Sequence, residues 1–185
     1  MKTALVTGAA GFIGRHCLLP LLARGYDVHA VAVTAPPNGP PDVVWHSANL
    51  LDPAQVRTLV SAVKPSHLLH LAWYVEHGKY WTSPENIRWI QASLELAQAF
   101  VTAGGERMVT AGTSAEYDWR YGWCVENLTP LEPTSLYGAS KHALNVALSA
   151  YAAQTGLSAA WGRVFFLYGP HEVPTRLVAS IVRAL

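Results

Sequence analysis

Residues 3–14 read TALVTGAAGFIG. A short apolar run ends at Thr7, three glycines follow as Gly8, Gly11 and Gly14, and a helix-period pattern begins. The G-x-x-G-x-x-G spacing, between a buried strand and a helix, has a physical purpose in dinucleotide binding. Gly8 permits the tight turn, Gly11 lets backbone approach a pyrophosphate, and Gly14 lets helix pack close to strand. The helix N-terminus then offers N–H donors and a partial positive charge to phosphate oxygens. The bland alternative is a structural turn that merely tolerates glycine. Three glycines in register at the first strand favour the phosphate reading.

Outward from this turn, strand-length apolar runs alternate with helix-length periodic segments. Residues 3–7 read as a buried strand and 12–25 as a helix closed by Gly25, with Pro20 expected to kink it. DVHAVAV (27–33) is a second strand, TAPPNGPPD (34–42) a loop and VVWHS (43–47) a short strand. DPAQVRTLVSAV (52–63) is a helix with Asp52 as N-cap and Pro53 behind it. SHLLHLA (66–72) is a strand, 83–104 a long helix capped by Ser83, and ERMVTAG (106–112) a strand. Residues 115–134 form a Trp-bearing loop, 135–156 a helix, 158–167 a sixth strand and 174–185 the start of another helix. Such alternation predicts an α/β fold: a doubly wound parallel sheet with helices on both faces, forming one domain over 1–185.

The 185 residues are 51% hydrophobic and 14% charged, which excludes a disordered chain. Net charge is +1 and the 13 Lys and Arg are scattered, so neither nucleic acid nor an anionic membrane is an expected partner. Cys17 and Cys124 form no paired motif, which suggests a reducing compartment. No apolar stretch is long enough to span a bilayer and the N-terminus runs into the glycine turn, not a cleavage site, so a cytoplasmic location is expected.

The pair Tyr137 and Lys141, in SLYGASKHAL (135–144), lies one helical turn apart on one face. A phenol titrates near ~10, and a neighbouring ammonium would stabilise phenolate and lower that value. The pair can then act as general acid/base for a carbinol–carbonyl couple beside a hydride carrier. A half-buried Tyr beside a snorkelling Lys is the ordinary alternative. The fifth strand runs into TAGTSAEYD, so Thr113 and Ser114 fall at its C-terminal end, where such sheets bind ligands. A hydroxyl there can orient the reacting oxygen, or simply form a strand-end turn.

TGAAGFIG, HLLHLA, VTAGTSAEYD, PTSLYGASK and RVFFLYGP, in this order along essentially the whole chain, resemble the extended short-chain dehydrogenase/reductase family. Within it, the chain is similar to NAD(P)-dependent nucleotide-sugar epimerases, dehydratases and 4-ketoreductases. The resemblance implies Tyr137 as acid/base, Lys141 on the nicotinamide ribose and lowering the Tyr137 pKa, and Thr113 as the third triad member. It implies a pyrophosphate loop of Gly8, Gly11, Phe12, Ile13 and Gly14. Asn49 and Leu50 would meet adenine, Leu71, Ala72 and Trp73 line the cofactor, and Tyr168 belong to a loop over the nicotinamide. Asn86 would be structural or support a relay water.

The resemblance implies NAD or NADP, and the sequence does not distinguish them. The acidic residue that would hold a ribose 2′-hydroxyl after the second strand is replaced by Ala32, Val33 or Thr34, with no Arg or Lys for a 2′-phosphate. Phe166 stands where the family often has an Asn that touches the sugar. Ser114-Ala115 follow Thr113 where dehydratases carry Asp-Glu, so a 4-ketoreductase or epimerase is favoured over a 4,6-dehydratase. Relatives run well past 185 residues, so 174–185 reads as the start of a truncated substrate-binding portion. A homodimer through helices 83–104 and 135–156 is also implied. The alternative class is a non-catalytic dinucleotide-binding module, sensor or scaffold.

His67 and His70 are three apart on a strand and face opposite sides, which argues against a shared metal. Trp73, Tyr74, Tyr80, Trp81, Trp119, Tyr121 and Trp123 fall in the loops after the fourth and fifth strands, expected to open over the nicotinamide. They could stack a ligand, cover a cofactor or mark an interface. Glu76, His77 and Glu126 read as solvated loop groups.

Overall fold

The structure is a computed structural model that describes residues 2–34, 36 and 39–185. Of the expected loop 34–42, residues 35, 37 and 38 lie outside the described residues. Six strands form the sheet: β1 (Thr3–Thr7), β2 (Asp27–Ala32), β3 (Val43–Ser47), β4 (His67–His70), β5 (Arg107–Thr113) and β6 (Ser158–Val164). Their order is β3-β2-β1-β4-β5-β6 and every pairing is parallel. The chain winds outward from β1 to β3, then crosses back to lay β4 on the free edge of β1. That reversal opens a crevice beyond the C-terminal ends of β1 and β4, where ligands of such sheets bind.

Helices α1 (Gly14–Ala23), α2 (Pro53–Val63), α3 (Glu85–Thr102), α4 (Leu136–Thr155) and α5 (Leu177–Ala184) complete the fold. Successive β1 residues face opposite sides of the sheet. Leu5 joins Leu68, Val56, Leu96, Phe100 and Leu144 in the core shared with α2, α3 and α4. Val6 joins Leu18, Val28, Ala30 and Val43 under α1. The doubly wound reading therefore holds, with helices packed on both faces of the sheet.

Local chemistry sets the helix ends. Asp52 accepts from the N–H groups of Ala54 and Gln55 with Pro53 behind it, and Lys64 closes α2 in the left-handed region. Ser135 caps α4 through the Gly138 N–H, and Gly156 ends it with φ 74°. Pro20 lies inside α1. No helix among the described residues is long and apolar enough to cross a membrane.

Several boundaries differ from expectation. Strand β4 stops at His70, because Leu71–Trp73 leave the ladder to wrap the crevice. Strand β5 runs one residue further, to Thr113, paired with Val164. Strand β6 stops at Val164, three residues early, and Phe165–Leu167 turn toward the crevice. Helix α3 begins at Glu85 with Pro84 at the N-cap position; Ser83, two positions before the helix, still accepts from the Glu85 N–H. The 115–134 region is not simply a loop: short 3-10 turns occupy Ser114–Glu116 and Trp119–Tyr121.

Candidate active site

The glycine turn builds one wall of a cavity of about 300 Å³ at the β1/β4 crevice. Gly8 has φ 67°, and a Cβ there would lie 2.7 Å from Ala72 N. A Cβ on Gly14 would collide with Gly8 O and lie 2.7 Å from Ala9 Cα. Both glycines are therefore required by the packing of turn, helix and β4. Gly11 differs: its Cβ would touch only Gly8 O, at 3.0 Å, and its open side faces the cavity. Helix α1 has no side-chain cap, so its N-terminal dipole points at this space unscreened.

Beneath the turn, a buried polar chain ties β1 to β4. The Ala72 N–H donates to Thr7 Oγ1 at 3.3 Å, and Thr7 Oγ1 meets His70 Nδ1 at 2.7 Å. His70 Nε2 meets Ser93 Oγ at 2.8 Å, and Ser93 donates to Trp89 O at 2.6 Å. Because Ser93 spends its proton on Trp89, His70 carries its own on Nε2 and accepts from Thr7. Burial pushes its pKa down to about 3, so the ring is neutral. His67 faces the other side, against Tyr26 and Ser66, as the strand spacing required.

Thr113 terminates β5 and lines the cavity with Ala111, Gly112 and Ser114. Its Oγ1 accepts from the Ala115 N–H at 3.2 Å, and its own N–H donates to Glu116 Oε1 at 2.8 Å. The turn-forming reading therefore holds, since the hydroxyl oxygen accepts from backbone. Glu116 does not line the cavity. Fully buried, it accepts from Trp161 Nε1 at 2.9 Å and Arg163 Nε at 3.1 Å, bracing the ends of β5 and β6.

Tyr137 and Lys141 enter the cavity from α4. The Tyr137 N–H donates to Trp81 O at 3.1 Å, and its ring meets those of Tyr80 and Trp81 edge-on at 4.9 and 5.7 Å. Lys141 is 3% exposed. Its Nζ donates to Ala111 O at 2.8 Å and lies 3.9 Å over the ring of Trp73. Trp73 is itself fixed by its Nε1–H to Asn86 Oδ1 at 2.8 Å, and Asn86 donates to Tyr80 O and Ser83 O at 2.7 and 2.9 Å. Asn86 thereby steadies both the platform under Lys141 and the loop that clamps Tyr137.

One expectation is corrected. Burial raises the Tyr137 pKa above its usual value, with the Thr113 hydroxyl and the Arg176 charge pulling the other way. Lys141 contributes no such pull in the chain alone. Burial drives its own pKa down to about 7, and its Nζ is turned to Ala111 and Trp73.

Most residues expected at the site meet at this cavity: Gly8, Gly11, Phe12, Ile13, Gly14, Leu71, Ala72, Trp73, Thr113, Tyr137 and Lys141. Asn49, Leu50 and Tyr168 do not line it. Asn49 accepts from the Leu51 N–H in the β3–α2 connection, Leu50 is buried in the core, and Tyr168 is 72% exposed. The aromatic group divides: Tyr80 and Trp81 line the cavity, whereas Trp119 packs near Phe165 and Phe166, and Tyr121 and Trp123 face solvent. Tyr74 donates to Glu76. Val75, Phe165, Leu167 and Arg176 also line the cavity. Nothing in the local sequence pattern marks them, because they reach the site through loop paths.

A parallel sheet with a glycine turn at its crossover defines a fold of the dinucleotide-binding class. The chain belongs to the NAD dependent epimerase/dehydratase family, whose pattern matches residues 4–185. It is 25% identical, over 97% of its length, to dTDP-6-deoxy-L-talose 4-dehydrogenase (NAD(+)) of Aggregatibacter actinomycetemcomitans, of which it covers 67%. Among solved structures it is similar to the UDP-glucose 4-epimerase of Thermus thermophilus in complex with NAD. There the TM-score is 0.83 at 30% identity, covering 98% of this chain and 61% of that one. It also superimposes on MoeE5 in complex with UDP-glucose and NAD, with TM-score 0.82, 33% identity and coverage of 99% and 60%. A second solved structure is MoeE5 in complex with UDP-glucuronic acid and NAD. The chain thus spans about 60% of these structures' length.

Proposed function

We propose that the protein binds NAD in the crevice and acts as an oxidoreductase or epimerase on a nucleotide-activated sugar. The observation that carries this is the meeting of the glycine cradle with Thr113, Tyr137 and Lys141 around one cavity. The residues present fit the cofactor: Gly11 leaves an open backbone surface for a pyrophosphate, and the uncapped α1 N-terminus favours its charge. When bound, NAD supplies hydride exchange with a sugar carbon. Thr113 donates to the sugar oxygen and orients it, and Tyr137 exchanges a proton with that oxygen. Lys141 binds the adjacent ribose and supplies the positive charge that offsets the raised phenol pKa. Asn49 and Leu50 would meet the adenine end and Tyr168 the nicotinamide-side loop.

Ser114 and Ala115 occupy the two positions after Thr113, and Glu116 is committed to Trp161 and Arg163. No carboxylate among the described residues lines the cavity to remove or return water, which supports reduction or epimerisation over 4,6-dehydration. Helix α5 leaves Leu177, Val178, Ile181 and Val182 exposed, which supports reading 174–185 as the beginning of a substrate-binding portion like that of the longer relatives. Exposed Ile87 on α3 and Val146 on α4 support a homodimer through those helices. Sedimentation at micromolar concentration tests this, and a strictly monomeric species would exclude it.

Tyr137→Phe in the full-length protein should abolish turnover while NAD affinity by calorimetry stays within about twofold. Undiminished turnover would remove the proposed role. A non-catalytic module remains the rival class, since Lys141 is engaged with Ala111 and Trp73. Tight NAD binding with no turnover on any nucleotide sugar would favour it.

A further inference from the structure

Among the described residues, one hydrogen bond joins residues 166–185 to the rest of the chain: His16 Nε2 donates to Pro170 O at 3.1 Å. A carbonyl can only accept, so His16 carries its proton on Nε2. The segment so held includes Phe166 and Leu167, which line the cavity, and all of α5. The His16 end is firmly placed. It stands in the first turn of α1, and its N–H donates to Ile13 O at 3.1 Å. Its neighbour Arg15 donates to Ala10 O and Gly11 O at 3.0 and 3.4 Å and so grips the glycine turn. The ring of Phe12, a residue of the cavity wall, meets the His16 ring edge-on at 6.0 Å. The Pro170 end is shaped to reach it. The Glu172 N–H donates to Gly169 O at 3.2 Å and closes a turn, within which His171 holds φ 70°, a region costly for a residue with a side chain.

We propose that His16 is a positioning residue: it tethers the segment after β6 to the first turn of α1, keeps Phe166 and Leu167 in the cavity wall, and slows release of the dinucleotide. This rests on the NAD-binding reading above. His16 does not itself line the cavity, so it acts through the tethered segment and not by touching the cofactor. The other contact of this wall, Phe166 near Trp119 at 6.1 Å between ring centroids, is apolar and sets no direction. The hydrogen bond supplies the direction. His16 and Pro170 are both exposed, so water competes for each partner and the bond is modest in net strength. Such a tether can break and reform, which lets the wall open for exchange of the cofactor and close again.

The test is stopped-flow release of NADH from the full-length protein as wild type, His16→Leu and His16→Gln. His16→Leu should release NADH about three- to tenfold faster, the loss expected of one exposed hydrogen bond, with association within about twofold of wild type. His16→Gln keeps an N–H donor on a side chain of similar reach and should recover most of the slow release. Because His16 is exposed, the three melting temperatures should agree within about 2 °C, which separates the tether from a general loss of stability. If wild type binds NADH and His16→Leu releases it at the same rate, the tether is overturned and the NAD reading stands. Equally fast release from the Leu and Gln variants would also overturn it, because the donor would then not matter. If wild type binds no NADH, the NAD reading and this role fail together.

Discussion

The ammonium of Lys141 rests 3.9 Å above the ring of Trp73 while donating to Ala111 O, with no carboxylate as its hydrogen-bond partner. A cation so held is stabilised by a ring face and one carbonyl against a large loss of hydration. Between pH 7 and the ordinary lysine value of about 10.4 the unfolded chain binds more protons than the folded one, so this group makes stability rise with pH there. Lys141→Met should raise stability at pH 7 by about 1–4 kcal/mol, flatten that rise, and abolish turnover. Urea titrations at pH 7 and 9 read the stability. A less stable Met variant would contradict the account.

His70 titrates in the opposite half of the pH scale. Its folded value of about 3 lies below the unfolded value, so the unfolded state binds the extra proton between about 3 and 6.5. Its stabilising contribution is intact above pH 6.5 and falls away as pH drops. It should cost about 2 kcal/mol between pH 7 and 5. His70→Gln, which can still bond Ser93, should lose that part of the acid sensitivity. Parallel acid slopes in wild type and variant would refute this.

The glycines of the turn should separate by function. Gly14→Ala drives a methyl into Gly8 O and should lower the melting temperature sharply. Gly11→Ala meets only Gly8 O at 3.0 Å, so its melting temperature should move by a few degrees at most. Because Gly11 lines the cavity, its added methyl should weaken NAD binding about tenfold or more. Calorimetry and thermal melts on both variants check the contrast; equal NAD affinity in Gly11→Ala and wild type would remove the pyrophosphate role of that residue.

Glu116 accepts from the Thr113 N–H, Trp161 and Arg163 at once. Glu116→Gln replaces one acceptor oxygen with a donor facing donors and leaves Arg163 without its anion. The expected loss is about 3 kcal/mol, with a fall in turnover because Thr113 loses its anchor. An unchanged denaturation midpoint would show that the brace carries no weight.

The fold was legible because local signals agreed with each other: TALVT ran into a glycine turn, Asp52-Pro53 opened a helix, and strands alternated with helices throughout. The meeting of Thr113, Tyr137 and Lys141 at one cavity was legible because Tyr137 and Lys141 share a helical face and Thr113 ends a strand. Trp73 as the platform for Lys141 was not, since the two lie on different elements, 68 positions apart in sequence, and meet only after β4 and α4 pack. The same holds for Glu116, a buried anchor whose partners Trp161 and Arg163 lie on β6, 45 and 47 positions away. The expected lowering of the Tyr137 pKa came from spacing and from the family resemblance. Neither reports burial, which raises that pKa instead.

The Thr7–His70 bond joins residues 63 apart, across the seam where β1 accepts β4. Ala72, whose N–H reaches Thr7, also crowds Gly8. A chain that has emerged only as far as α2 therefore holds the whole glycine motif but not the surface that shapes it. Contacts this distant form late, after loop-closure entropy has been overcome. During synthesis the phosphate cradle is thus a product of the second half of the sheet, and dinucleotide can reward folding only once β4 has docked.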